Sequence, residues 1–216
     1  MNESVRVVKI GGSLLDWDDL PRQLDRWLDL QQPARTLLIA GGGRWADAVR
    51  QESRRRPLDQ RTAHWMCIDA MSITARLVAD WMSDALLLDD VNEFVRPQGE
   101  TPLAILDARS FLREVEPTLP GERLPESWDV TSDSIAARVA RYVEAEELVL
   151  LKSTLPCGPA MCGSANPLAW AEVDYVDRFF PNVTRDLRRL RCVDLRSDGF
   201  DEVTATCEHK KTAAPQ

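Results

Sequence analysis

Apolar and polar positions along the chain switch between a period of two and a helical period, and each switch marks an element. Residues 5–10 are apolar except at Arg6 and Lys9 and predict a first strand, which ends in Gly11, Gly12 and Ser13. Between residues 17 and 30, Leu20, Leu24, Trp27 and Leu28 share one helical face. Asp18 and Asp19 stand near that helix's start, where its dipole favours negative charge, and Pro33 follows its end. A short buried strand is expected at 36–40, closed at once by Gly41, Gly42 and Gly43. Strand, helix and strand within about 40 residues predict a parallel right-handed crossover. Both strands therefore deliver a glycine loop to the same edge of a sheet.

A second helix begins at Trp45, Ala46, Ala48 and Val49 and closes in the basic run Arg54, Arg55, Arg56. The longest helical signal spans 62–82, with His64, Ile68, Met71, Ala75 and Val78 on one face. Further strands are expected at 85–88, 103–106, 147–151 and, as the last, 190–195. Residues 89–100 and 116–125 read as loops, and 153–167, with three prolines and two glycines, as a loop or lid. Thr131, Ser132, Asp133 and Ser134 cap a helix that buries Ile135, Ala136, Val139, Ala140 and Val143. Residues 173–181 form an aromatic segment. One α/β domain is expected over 1–208, with a disordered tail over 209–216.

Composition narrows the function classes. A hydrophobic fraction of 44% supports a core, no stretch approaches the roughly 20 apolar residues of a membrane span, and Met1 to Ser4 run directly into the first strand. No membrane association and a cytoplasmic location are expected. The formal charge of −8 disfavours a nucleic-acid partner. Five cysteines without a repeating spacing argue against a disulfide framework, and Cys157 and Cys162 have no nearby histidine, so no protein-held metal is expected there. The only lysines are Lys9, Lys152, Lys210 and Lys211, and the first two lie in or at the end of apolar runs.

Paired glycines at a strand's end let backbone amides approach an anion, and Lys9 stands two residues before the first pair. The pattern is neither GxxxxGK[ST] nor GxGxxG. Phosphoryl transfer needs donor and acceptor held in line while charge grows on the equatorial oxygens. Amides of Gly11 and Gly12 on one side and of Gly42 and Gly43 on the other suit that path, with Lys9 neutralising the moving group. Asp133 then orients Lys9 or helps hold magnesium. Plainer readings stand beside these: Lys9 as a solvent-facing edge lysine, Asp133 as a helix cap, and His64 as a core histidine rather than one pointing into a pocket.

The segments VKIGGSLL (8–15), IAGGGRWADAVR (39–50), TSDSIAARVA (131–140) and LVLLKS (148–153) resemble the amino acid kinase superfamily, which includes acetylglutamate, aspartate, uridylate and isopentenyl phosphate kinases. The resemblance covers about residues 5 to 195. It implies a three-layer αβα sandwich with a mainly parallel central sheet, and ATP with magnesium. Lys9 would stabilise the transferred group, Gly11, Gly12 and Ser13 would form the nucleotide phosphate loop, and Asp133 would organise the lysines. Gly41, Gly42, Gly43, Arg44 and His64 would take a small anionic acceptor. AHWMCIDAM (63–71) and VDYVDRFFP (173–181) look most like the small kinases of methanofuran biosynthesis, whose acceptor is an aminomethylfuran phosphate.

The chain departs from that pattern after its fifth strand. A Thr-Asp-Val-Asp-Gly type segment is replaced by residues 152–158, KSTLPCG, and no separate late lysine serves the donor phosphates. Either Lys152 and Ser153 take the donor side, or the chain is a non-catalytic nucleotide or small-anion binding protein that retains the kinase fold. Trp27, Trp45, Trp65, Trp81 and Trp128 in or beside the helices, together with the resemblance, predict a homodimer or higher oligomer.

Overall fold

Val7, Val8 and Ile10 have no exposed surface, which places the first strand in the middle of a sheet rather than at its edge. The structure, a computed structural model, describes residues 4–97, 99, 102–156 and 166–205. The strands are β1 (Val5–Ile10), β2 (Arg35–Ala40), β3 (Leu86–Leu88), β4 (Leu103–Leu106), β5 (Glu147–Lys152), β6 (Leu190–Asp194) and β7 (Glu202–Ala205). They form one sheet in the order β3-β4-β2-β1-β5-β6-β7, parallel throughout except for the antiparallel pairing of β7 with β6. The strand expected to be last is therefore followed by another. At four residues with polar Glu202 and Thr204, β7 has only an edge to occupy and carries little periodic signal.

The helices are α1 (Leu20–Asp29), α2 (Gly43–Arg55), α3 (Gln60–Trp81), α4 (Val91–Val95), α5 (Ala108–Ser110), α6 (Ser132–Tyr142), α7 (Pro167–Glu172) and α8 (Phe180–Val183). The short helix α4 corrects the expected loop over 89–100. The Asp90 side chain accepts from Asn92 N to start it, and buried Val91 and Phe94 anchor it.

Strand alternation splits the core between the two sheet faces. Val7, Leu37, Ile39, Leu148 and Leu150 pack with Ile135, Val139 and Ala140 of α6 on one face, whereas Val8, Ile10, Leu38 and Leu151 pack with Leu20, Leu24 and Trp27 of α1 on the other. The result is the expected three-layer αβα sandwich. Lys9 has the parity of Val7, and Lys152 that of Leu148 and Leu150, so both lysines belong to the α6 face. Strand order reverses at β1, with β2 on one side and β5 on the other, and such a reversal opens a crevice at the carboxyl ends of the strands.

Trp27 is buried, but Trp45 and Trp81 stay 44% and 37% exposed, together with Met66 and Ile73 of α3 and Leu86 and Leu87 of edge strand β3. Among the described residues no helix is long and apolar enough to cross a membrane. Cys157, Cys162, Gly158, the 208/209 boundary, Lys210 and Lys211 lie outside the described residues.

Candidate active site

The two glycine loops meet. β1 and β2 run in register with Ile10 beside Ala40, so the loops leave the sheet side by side. A Cβ on Gly12 would come within 2.9 Å of Gly43 N, and one on Gly41 within 2.9 Å of Gly12 N. Gly43 adopts φ of +51°, a left-handed conformation that other residues resist, and this turn starts α2. The amides do not all serve as the sequence suggests. Gly11 N donates to Leu151 O at 2.8 Å and Gly41 N to Ile10 O at 2.9 Å, so these two lock the loops onto the sheet. The amides that start a turn without an intrahelical partner are instead those of Gly12 and Ser13, which begin the short turn Gly12–Leu14, and those of the first turn of α2, where the first intrahelical bond is Ala46 N to Gly42 O.

Beneath this junction Asp133 joins two lysines. Its Oδ1 lies 2.9 Å from Lys9 Nζ and its Oδ2 accepts from Lys152 Nζ at 2.8 Å. Lys9 and Asp133 are each 4% exposed, which removes the reading of Lys9 as a solvent-facing edge residue. Burial opposes the charge on Asp133, yet Lys152 and Lys9 outweigh it and hold the carboxyl at about 2. Burial, with the like charge of Lys152 added, lowers the pKa of Lys9 against the attraction of Asp133. Lys152 also donates to Tyr175 O at 2.7 Å, and its ammonium lies 4.9 Å from the Tyr175 ring centroid.

Asp133 is held by a second acid that sequence reading took only as part of an aromatic segment. Asp177 Oδ2 accepts from Thr131 N at 2.9 Å and Ser134 N at 3.0 Å, and its Oδ1 accepts from Ser134 Oγ at 2.5 Å. It thereby fixes the first turn of α6. Burial and the neighbouring Asp133 charge raise its pKa. The capping reading offered for Asp133 belongs to Thr131, whose Oγ1 accepts from Asp133 N, and to Asp177; the carboxylate of Asp133 faces the lysines.

The other expected acceptor residues separate. His64 is buried in a narrow cavity of ≈ 40 Å³ with Gly42, Arg50, Cys67, Met71, Trp128, Thr131 and Ser132, its Nδ1 3.3 Å from Ser127 O. Burial lowers its pKa. Arg44 points away: its Nε lies 3.2 Å from Asp16 Oδ1 at the surface, in a groove with Trp17 and Trp81. Six residues advance a helix by about 240°, so Arg44 and Arg50 cannot share a face, and the arginine on the His64 side is Arg50. On the other side of β1, Ser13 Oγ and Ser153 Oγ lie 3.1 Å apart and join the first glycine loop to the tip of β5.

A model of the amino acid kinase family matches residues 4–154. Over 147 residues the chain is 24% identical to a [5-(aminomethyl)furan-3-yl]methyl phosphate kinase of Methanocaldococcus jannaschii, a match that covers 68% of this chain and only 64% of that relative's length. UMP kinase from Ureaplasma parvum superposes with a TM-score of 0.64 at 14% identity, over 93% of each chain. Aspartate kinase from Synechocystis gives 0.63 at 13% identity, over 95% of this chain and 41% of that one. At these identities the two solved structures share the fold.

Proposed function

The chain belongs to the amino acid kinase family, and on that premise we propose that it transfers the γ-phosphoryl group of ATP to a small anionic acceptor. One observation carries the reading: Lys9 and Lys152 share the buried carboxylate of Asp133 directly under the junction of the two glycine loops. In the transfer, the bond from the β,γ-bridging oxygen to the γ-phosphorus breaks, its electron pair leaves with ADP, and an already ionised oxygen of the anionic acceptor bonds to phosphorus, so no proton has to be removed. Negative charge on the equatorial oxygens grows most where Lys9 and the amides of Gly12 and Gly43 converge. Asp133 keeps Lys9 in place, its attraction opposing the burial that lowers the lysine's pKa, and takes no covalent part.

Among the described residues no three acidic, histidine or cysteine side chains gather into a metal cage, and Asp133 is matched by two ammonium groups. The oxygens present fit magnesium that arrives on the nucleotide phosphates, with the Ser13 and Ser153 hydroxyls beside it. When bound, magnesium would neutralise charge on the nucleotide phosphates.

The acceptor belongs on the α2, α3 and α6 side, beside the cavity of His64 and Arg50, whose ≈ 40 Å³ is too small to enclose it as the structure stands. The archaeal relative's name makes an aminomethylfuran phosphate the first acceptor to try, with a diphosphate product. A homodimer through the exposed apolar residues of α3 and β3 completes the reading, checked by light scattering at tens of micromolar, where a monomer mass rejects it. The test of function is phosphorylation of that furan phosphate by purified protein with ATP and magnesium, with UMP and aspartate run alongside. Nucleotide binding without turnover on any acceptor would support the rival reading, a nucleotide or small-anion binding protein that retains the fold; no nucleotide binding at all would reject the kinase reading and leave only small-anion binding of the rival.

A further inference from the structure

Lys152 is only partly available to the donor phosphates: two of its three donors go to Asp133 and the Tyr175 carbonyl, so the kinase reading asks for a further cation among the described residues. We propose that Arg196, in the turn after β6, supplies that charge. The assignment rests on the kinase reading and names its donor-side residue.

The fold brings Arg196 there in three steps. β6 pairs with β5 so that Asp194 stands beside Lys152, and Leu195 N donates to Lys152 O at 3.0 Å, which carries β6 one residue past the tip of β5. The Asp194 carboxylate then accepts from Arg196 N at 2.9 Å and turns the chain back. The guanidinium crosses to the first glycine loop, where Nη2 donates to Ser13 O at 3.3 Å and the central carbon lies 5.3 Å from the Trp17 ring centroid. Since Ser13 Oγ is itself 3.1 Å from Ser153 Oγ, the tips of β1, β5 and β6 form one rim on the donor half of the sheet edge.

Three properties suit the guanidinium to polyphosphate. It is exposed, one of its five N–H donors is engaged by protein, and among the described residues the structure records no carboxylate as its ion-pair partner. A planar, permanently charged fork, held near the Trp17 ring and Ser13 O, can address two phosphate oxygens at once. Lys152 then acts on the Asp133 side, and the donor-side charge comes from an arginine just past the end of β6.

Calorimetry with Mg-ATP and with inorganic tripolyphosphate tests this on the wild type, Arg196→Gln, Arg196→Lys and the surface control Arg185→Gln. Loss of a charged hydrogen-bonding partner predicts a fall of about 10-fold or more in affinity for both ligands in Arg196→Gln, with partial recovery in Arg196→Lys. The ligand-free thermal midpoint should not change, and Arg185→Gln should bind as the wild type does. Wild-type affinity in Arg196→Gln would overturn the assignment while leaving the kinase reading intact. So would a loss accompanied by a lowered midpoint that Arg196→Lys fails to restore, which would make the residue a tether for Ser13 and Trp17. Absence of Mg-ATP binding in the wild type would instead reject the kinase reading, and this assignment with it.

Discussion

The ammonium nitrogen of Lys9 lies 2.9 Å from Oδ1 of Asp133, with both residues almost fully buried. Such a pair is sensitive to loss of either member, because the survivor remains away from water without its counter-charge. For Asp133 the effect is doubled, since Lys152 depends on the same carboxylate. Asp133→Asn should lower stability in urea by roughly 3–5 kcal/mol and abolish turnover. Wild-type stability in that variant would show that the lysines do not rely on Asp133.

Acid should act through the same group. Asp133 ionises at about 2 in the fold against an ordinary 3.8, so its stabilisation is complete above the unfolded value and disappears as pH falls through about 2. Urea titrations over that window should show a declining limb in the wild type that is shallower in Asp133→Asn. Equal slopes would assign acid unfolding to other carboxylates.

His64 predicts a second pH dependence nearer neutrality. Burial lowers its pKa, so below the ordinary 6.5 the unfolded chain binds a proton that the folded chain resists. Stability is complete above that value and falls as pH drops toward the folded-state pKa. Denaturation midpoints compared at about pH 7.5 and about pH 5 should show a smaller loss in His64→Gln than in the wild type. An identical loss in both would place the titrating group elsewhere.

The glycine junction gives a steric prediction. Gly12→Ala puts a methyl group 2.9 Å from backbone Gly43 N, which cannot rotate away, so the loops must separate. A cost of roughly 1–3 kcal/mol and weaker Mg-ATP binding are expected. At Gly99 nothing lies within 4 Å of an added Cβ, and Gly99→Ala should be neutral in both assays.

Much of this site was legible because its parts are local in sequence. Each glycine loop sits directly after its strand, Lys9 is two residues before the first, and Asp133 lies in a run of capping residues. Register alone then brings them together. Arg196, Asp177 and Arg50 were not legible in the same way. Arg196 reaches Ser13 across 183 residues of chain, and Asp177 binds the N-cap of α6, Thr131, 46 residues before it. Arg50 was hidden by Arg44, whose place next to the glycines drew attention although its helical phase points it outward. In the fold, β7 and α4 escaped notice because both are too short to show a period, α4 sits between the polar residues 89–90 and 96–100, and β7 is held by pairing to a neighbour strand. The exposure imagined for Lys9 failed for a related reason: a lysine between apolar residues belongs to a central strand once a buried carboxylate is present to receive it.

Lys9→Met tests the account most directly. Methionine fills a similar volume, and Asp133 keeps Lys152 as its partner, so the variant should fold. Because the interaction of Lys9 strengthens as charge develops in transit, turnover should fall by about 10²–10³-fold while affinity for Mg-ATP stays within a few-fold of the wild type. The decisive measurement is the single-turnover rate of phosphoryl transfer to the acceptor by folded Lys9→Met at saturating Mg-ATP. A drop of that size with nucleotide bound is the predicted result, and a wild-type rate would contradict the role assigned to Lys9.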